Sequence, residues 1–164
     1  MSEHDPFNEP DQAHPRAREL MVEPFFWDCV DERAPFGSDE GSDAYYEWRS
    51  WRADNPSAPL VQCIAWILDG HLDGYNGSLC TDEQIEQDLA NPEDAFLSEL
   101  YDMFTLDTTI IATALGQLLD EGKIESDAKP FVDVAIHRQL HPSVGEYEKD
   151  VLKAVQRVVN AATT

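Results

Sequence analysis

The sequence predicts an all-α protein, a compact bundle of six or seven helices around a central helical hairpin at about residues 107–140. No alternating run of apolar and polar residues is long enough to indicate a strand, although one would fit in the Val-rich residues 151–159. The first helix of the hairpin has a wide apolar stripe that other helices must cover, which favours a bundle. The stripe consists of Ile110, Ile111, Ala114, Leu115 and Leu118.

Two local signals set the limits of the hairpin helices. Gly122 stands where a left-handed C-terminal cap is expected after the first helix. Ser126, followed by Asp127, is typical of the start of a second helix. That second helix repeats the apolar stripe with Phe131, Val134, Ala135 and Leu140.

The chain before the hairpin begins with a polar, proline-punctuated segment. We expect residues 1–12 to be a disordered leader and residues 13–164 to form a single helical domain. A short helix should start at Pro15 and end before Pro24, because the residue preceding a proline avoids the helical region. Ser38 should cap a helix that runs to about Ala53.

Four further helices are expected in the rest of the chain. One covers residues 57–68 and stops at Gly70, and one follows the capping-box spacing of Thr81 and Gln84. A third should start at Asn91-Pro92 and carry the apolar face Phe96, Leu97, Leu100, Tyr101 and Phe104. The last follows Pro142 and carries Val144, Tyr147, Val151, Val155 and Val158.

Charge is the one extreme property of the composition. Eleven basic residues stand against 33 acidic ones, which gives a formal net charge of −22. Between Arg52 and Lys123 there is no Lys or Arg at all. Nucleic acids and anionic membranes need a basic footprint, so we expect neither as a partner. A basic protein partner fits the charge, since a negative field speeds its association; the alternative is that the charge only keeps the protein soluble.

The predicted location is the cytoplasm. The N-terminus lacks the basic start and apolar run of a signal peptide. The apolar runs fall far short of the roughly 20 residues that a membrane span needs. Three cysteines without a C-x-x-C pair fit a reducing compartment.

A basic stripe on the last helix leaves self-association open. Lys149, Lys153 and Arg157 follow one another at four-residue steps. They could dock on the acidic face of the same chain or of a second copy, which would make a homodimer.

The sequence predicts no catalytic residue, no cofactor and no metal site. His137 and His141 stand four apart, which places both on one face of a helix, as in some zinc sites. The glutamate of an HExxH motif is missing between them, and His141 before Pro142 suits a helix end. If one of these histidines nevertheless bound a metal, the protein would be a metal-dependent hydrolase that uses carboxylates with His137 or His141. This is the enzymatic alternative.

The most unusual composition lies in residues 23–48, where aromatic and acidic residues alternate. Such mixtures are typical of a partner-binding groove. The predicted partner-binding residues are Trp27, Asp28, Phe36, Asp39, Glu40 and Asp43. The structural alternative is that Trp27 and Phe36 only fill the core, while Asp39 and Asp43 only stabilise a helix start.

Two stretches carry a resemblance to a known family. They are AHPRARELMVEPFFWDCVDERAPFGSDEGSDA and DTTIIATALGQLLDEGKIESDAKPFVDVAIHRQLHP. Over most of the chain, from His14 to about Pro142, the protein resembles the YfeS-like group of uncharacterised bacterial proteins. The resemblance implies a small bacterial cytoplasmic protein, and it transfers no catalytic residue. The PFGSDEGSDA segment is also similar to the opening of small acidic helical families found among bacterial immunity proteins.

These observations lead to one functional hypothesis and two alternatives. The hypothesis is a non-enzymatic protein-interaction module that binds a basic partner, a toxin or a regulator. One alternative is the metal-dependent hydrolase, and the other is a mimic of nucleic acid, which would carry ordered rows of acidic side chains.

Overall fold

The computed structural model describes residues 6–7, 9–145 and 147–164. Within them the chain forms seven α-helices and five short 3₁₀ turns, and it contains no β-strand. The all-α fold class is therefore confirmed. The helices are α1 (Pro15–Leu20), α2 (Asp39–Asp54), α3 (Leu60–Ile67), α4 (Asp82–Ala90), α5 (Met103–Glu121), α6 (Lys129–Leu140) and α7 (Lys149–Ala162).

Helix α5 is the centre of the bundle. Every residue from Leu106 to Leu119 is buried, since α1, α2, α3 and α6 all pack against this helix. The antiparallel pair of α5 and α6 is the predicted hairpin, and α7 packs against α6 and α1. Helices α2 and α5 approach closely at Gly116, where an added Cβ would lie 2.8 Å from Cδ1 of Trp48.

Local capping signals account for several helix ends. Ser38 Oγ accepts a hydrogen bond from the Gly41 amide (3.1 Å), and Thr81 Oγ1 accepts one from Gln84 (3.1 Å), as their spacing predicts. Gly122 ends α5 with a left-handed φ of +79°. These three predictions are confirmed.

The expected helix after Asn91-Pro92 is wrong. Only Pro92–Asp94 forms a 3₁₀ turn there, and irregular turns follow up to Tyr101. Helix α5 begins earlier than expected because Asp102 Oδ1 accepts a hydrogen bond from the Thr105 amide (2.7 Å) and so caps it.

The predicted start of α6 at Ser126 is also wrong. The backbone there pairs with the end of α7 instead: the Ile124 amide donates to Ala162 O (3.0 Å), and the Ser126 amide donates to Thr164 O (2.9 Å). An isolated parallel bridge joins Ile124 to Thr163, residues 126–128 form a turn, and α6 begins three residues later, at Lys129.

Part of the predicted leader lies against the bundle. The Phe7 ring packs against Phe36 and Tyr45, with ring centroids 5.1 and 5.5 Å apart. Residues 10–12 form a 3₁₀ turn. Residues 1–5 and 8 lie outside the described residues.

Two further findings concern the Val-rich segment and the possibility of a membrane-spanning helix. The Val-rich residues 151–159 belong to α7 and not to a strand. In the described part of the chain, no helix combines the length and apolarity that crossing a membrane would require.

Candidate functional site

A row of carboxylates on α2 lines a groove. Glu40, Asp43 and Glu47 occupy positions i, i+3 and i+7, so they share one face of the helix. Like charges at this spacing weaken a helix by about 0.2–0.5 kcal/mol per pair. Apart from the favourable position of Glu40 in the first turn, the row therefore does not stabilise α2.

The opposite wall of the groove is apolar and exposed. It contains Trp66, at the end of α3, and Leu100, in the turns before α5, and their side chains are 57 % and 55 % exposed. Asp69, which follows α3, adds a fourth carboxylate. We call this depression of about 460 Å³ the Trp66 groove.

Two more cavities adjoin the Trp66 groove. The Gln139 cavity, of about 550 Å³, lies between α4, the start of α5 and the end of α6, and it shares Tyr101 with the groove. The Arg33 pocket, of about 340 Å³, shares Glu40 with the groove and Phe104 with the Gln139 cavity. The three therefore form one continuous surface, which we call the acidic face.

The acidic face combines a high density of negative charge with exposed apolar side chains. Three of the six large apolar side chains that are exposed in the described chain lie on it: Trp66, Leu89 and Leu100. Among its described lining residues, Arg33 is the single Lys or Arg. Its guanidinium is already paired with Asp31 (3.2 Å) and Glu148 (2.5 Å). Nine carboxylates line the face: Glu32, Asp39, Glu40, Asp43, Glu47, Asp69, Asp88, Glu93 and Asp102.

A buried polar network lies behind the Gln139 cavity. Asp107, on α5, accepts hydrogen bonds from the Tyr75 hydroxyl (2.6 Å), Arg138 Nε (3.0 Å) and Gln139 Nε2 (2.8 Å). Burial raises the pKa of Asp107 above its usual value, although the Arg138 charge and the three donors oppose the shift. The network ties α5 to α6 and to the loop that contains Tyr75.

The basic stripe on α7 is mostly bound within the molecule. The Lys149 ammonium donates to the carbonyl groups of Gln139, His141 and Val144 at the end of α6. Arg157 pairs with Glu23 (2.5 Å). Lys153 is exposed.

Three of the six predicted binding residues lie on the acidic face. Glu40 and Asp43 line the Trp66 groove, and Asp39 and Glu40 line the Arg33 pocket. Asp39 and Glu40 also lie in the first turn of α2, where acidic side chains are favoured by the helix dipole.

The other three predicted residues have structural contacts. Phe36 is fully buried against Tyr45, with ring centroids 5.7 Å apart. Trp27 Nε1 donates to the carbonyl of Met21 (2.8 Å), and Asp28 Oδ1 accepts from the amide of Val30 (2.9 Å). None of the three is among the residues that line the acidic face.

The two histidines of the enzymatic alternative lie in different surroundings. His137 is exposed, whereas His141 Nε2 lies 2.9 Å from Oδ1 of Asp82. Within the described residues, no group of three or more His, Cys, Asp or Glu side chains could hold a metal ion. The metal-dependent hydrolase has no ligand set there to support it.

Sequence reasoning missed the residues that complete the site. Glu47 continues the spacing of Glu40 and Asp43, so the helical period of α2 could have revealed it. Trp66 lies in the helix expected over residues 57–68, and no signal in that segment indicates that its side chain is exposed. Asp88, on α4, and Gln139, on α6, line one cavity, which no local sequence pattern indicates.

No protein-family model, no curated protein and no solved structure matches this chain. The resemblance to the YfeS-like group therefore stays a prediction.

Proposed function

We propose that this protein is a non-enzymatic interaction module of the bacterial cytoplasm that binds a positively charged segment of a partner protein, a toxin or a regulator. The acidic face is the proposed binding surface. The observation that carries the proposal is the Glu40, Asp43 and Glu47 row, which faces exposed Trp66 and Leu100 across one groove.

This combination suits a basic segment with apolar anchors better than a merely solubilising surface. Solubility needs dispersed charge and no exposed aromatic side chain, whereas Trp is enriched among residues that dominate binding energy. The uniform sign of the charge would steer a basic partner and reject an acidic one. A mimic of nucleic acid, by contrast, would not need the exposed apolar side chains of Trp66 and Leu100.

The test uses a labelled, amphipathic peptide of Lys, Arg and Leu, with binding followed by fluorescence anisotropy. The first variant reverses the row: Glu40→Lys, Asp43→Lys and Glu47→Lys. The control variant reverses three exposed acids that do not line the acidic face: Asp54→Lys, Asp127→Lys and Asp150→Lys. Both variants carry the same net charge, so they differ only in where the charge was changed.

We expect the row variant to lose about 2 kcal/mol, or roughly thirtyfold in affinity, at about 0.7 kcal/mol for each removed charge contact. The control should lose only a few-fold, and both effects should shrink between about 50 and 300 mM salt. Equal losses in the two variants would mean that total charge alone attracts the peptide, which contradicts the proposal.

A further inference from the structure

We propose that the Gln139 cavity is the pocket that receives one arginine side chain of the partner. This inference rests on the proposed function, because it assigns a particular contact within the acidic face. It starts from two buried side chains that line the cavity, Asp88 (4 % exposed) and Gln139 (0 % exposed).

Each of these side chains has an oxygen without a hydrogen-bond partner. Gln84 Nε2 donates to Asp88 Oδ1 (2.9 Å), but Asp88 Oδ2 has no partner. Gln139 Nε2 donates to Asp107 Oδ2 (2.8 Å), which fixes the orientation of the amide, and Gln139 Oε1 has no partner either. Since a buried acceptor without a donor is destabilising, both oxygens favour a ligand that donates.

The charges around the cavity favour a cation. Among the described residues, the buried charged side chains are the carboxylates of Asp88 and Asp107 and the guanidinium of Arg138. Arg138 Nη1 also has no partner, but Arg138 does not line the cavity, so the two lining side chains with an unpartnered buried atom both carry acceptors. The half-buried Lys149 ammonium is taken up by three carbonyl groups. Together with Arg138, a ligand with one positive charge would balance the two buried carboxylates.

The shape of the cavity favours an arginine. Its volume of about 550 Å³ is within the range of ligand pockets. Leu89, Met103 and Val144 supply apolar wall for the aliphatic stem, and Phe104 supplies an aromatic ring for the cation. A planar guanidinium has five donors and can reach acceptors on two different helices, whereas a lysine ammonium is compact and strongly hydrated.

The test compares blocked arginine with blocked citrulline, its neutral isostere, on the wild-type protein by NMR. We expect blocked arginine to bind with a Kd on the order of 1 mM, as a group of this size allows. Its saturable shifts should include the side-chain amide of Gln139 and the methyl group of Met103. Blocked citrulline should bind at least about tenfold more weakly, since it loses the charge-assisted contact with Asp88.

A matched pair of variants adds a second measurement. Asp88→Asn removes the charge but keeps an oxygen for Gln84, so we expect about a tenfold loss of arginine affinity. Asp94→Asn removes a charge from the neighbouring 3₁₀ turn, does not touch the cavity and should change nothing. Because the arginine and citrulline comparison uses the wild-type chain, the test holds even if Asp88→Asn folds poorly.

Three results would overturn the inference: equal binding of arginine and citrulline, shifts confined to the Trp66 groove, or no saturable binding up to some tens of millimolar. They are distinct from failure of the proposed function. If binding of the basic peptide depends on Glu40, Asp43 and Glu47 while blocked arginine does not shift the signals of Gln139, only this inference fails. If arginine fills the cavity while the peptide ignores the row, only the proposed function fails.

Discussion

Replacing Asp107 with leucine should be among the most destabilising single changes in this chain. The carboxylate is the shared acceptor of three buried donors, from Tyr75, Arg138 and Gln139, at 2.6–3.0 Å. Asp107→Leu removes all three contacts at once. Arg138, which is 1 % exposed, would then be a buried cation without its carboxylate.

The magnitude follows from these contacts. Leaving a buried charge unpaired costs about 3–5 kcal/mol. The unsatisfied hydroxyl of Tyr75 and amide of Gln139 add about 1 kcal/mol each. The sum, about 5–7 kcal/mol, approaches the whole free energy of unfolding of a domain, about 5–15 kcal/mol. With an m-value of about 2 kcal/mol per molar urea, the midpoint should fall by about 2.5–3.5 M.

Urea unfolding followed by circular dichroism tests this with three variants: Asp107→Leu, Arg138→Met and both together. Two apolar replacements remove the ion pair together, so the double variant should be no less stable than Asp107→Leu, with a coupling of about 3 kcal/mol. In Arg138→Met the pKa of Asp107 rises further, because its cation is gone. That variant should gain stability as the pH is lowered towards the ordinary pKa of an aspartate, because the folded state takes up the proton at a higher pH than the unfolded state.

Two outcomes would refute the reasoning. A loss below about 1 kcal/mol in Asp107→Leu would mean that solvent reaches Arg138. Additive effects of the two single changes would mean that the side chains do not act as a pair.

Three further predictions follow from packing and burial. Gly116→Ala should lower the free energy of unfolding by about 1–3 kcal/mol, since its Cβ would press on Trp48, while Gly77→Ala, with open space around it, should change little in the same urea titration. Burial raises the pKa of the Cys63 thiol to about 12, so a thiol reagent at pH 8 should modify exposed Cys29 quickly and Cys63 only after unfolding. Fast modification of Cys63 in the folded protein would contradict this prediction. Burial also raises the pKa of Tyr45, Tyr75 and Tyr147 above the ordinary 10.0, so the stability that they contribute below pH 10 should be lost as the pH rises further. Their tyrosinate absorbance should appear together with the loss of helical circular dichroism; if these three residues titrated before the protein unfolded, the prediction would be wrong.

The architecture was predictable because it depends on short-range signals. The apolar stripe on α5, the Ser38 and Thr81 caps and Gly122 act within a few residues, and each lies where the sequence indicates. One failure concerns the residues after Asn91, where the Asp102 cap on α5 is itself a short-range signal; the other, at the start of α6, came where distant chain segments decide. The start of α6 depends on backbone pairing with the last residues of α7, which are 38 positions away in the case of Ile124 and Ala162.

The site was predictable only in part, for the same reason. Asp39, Glu40 and Asp43 were identified because aromatic and acidic residues alternate in their segment. The same argument also selected Phe36, which is buried, since composition cannot tell which side of a turn faces the core. Asp88 and Gln139 are 51 positions apart and line the same cavity only after the bundle has formed.

The complete burial of α5 has a consequence for how this protein can change over evolutionary time. A helix that is covered on one side alternates between tolerant and intolerant positions every three or four residues, as α7 should. From Leu106 to Leu119 no such alternation is possible, because every side chain there has neighbours on all sides. A saturation mutagenesis map would therefore show α5 as an unbroken sensitive block, and drift would be confined to the outer helices, where specificity for a partner can be rewritten without disturbing the scaffold.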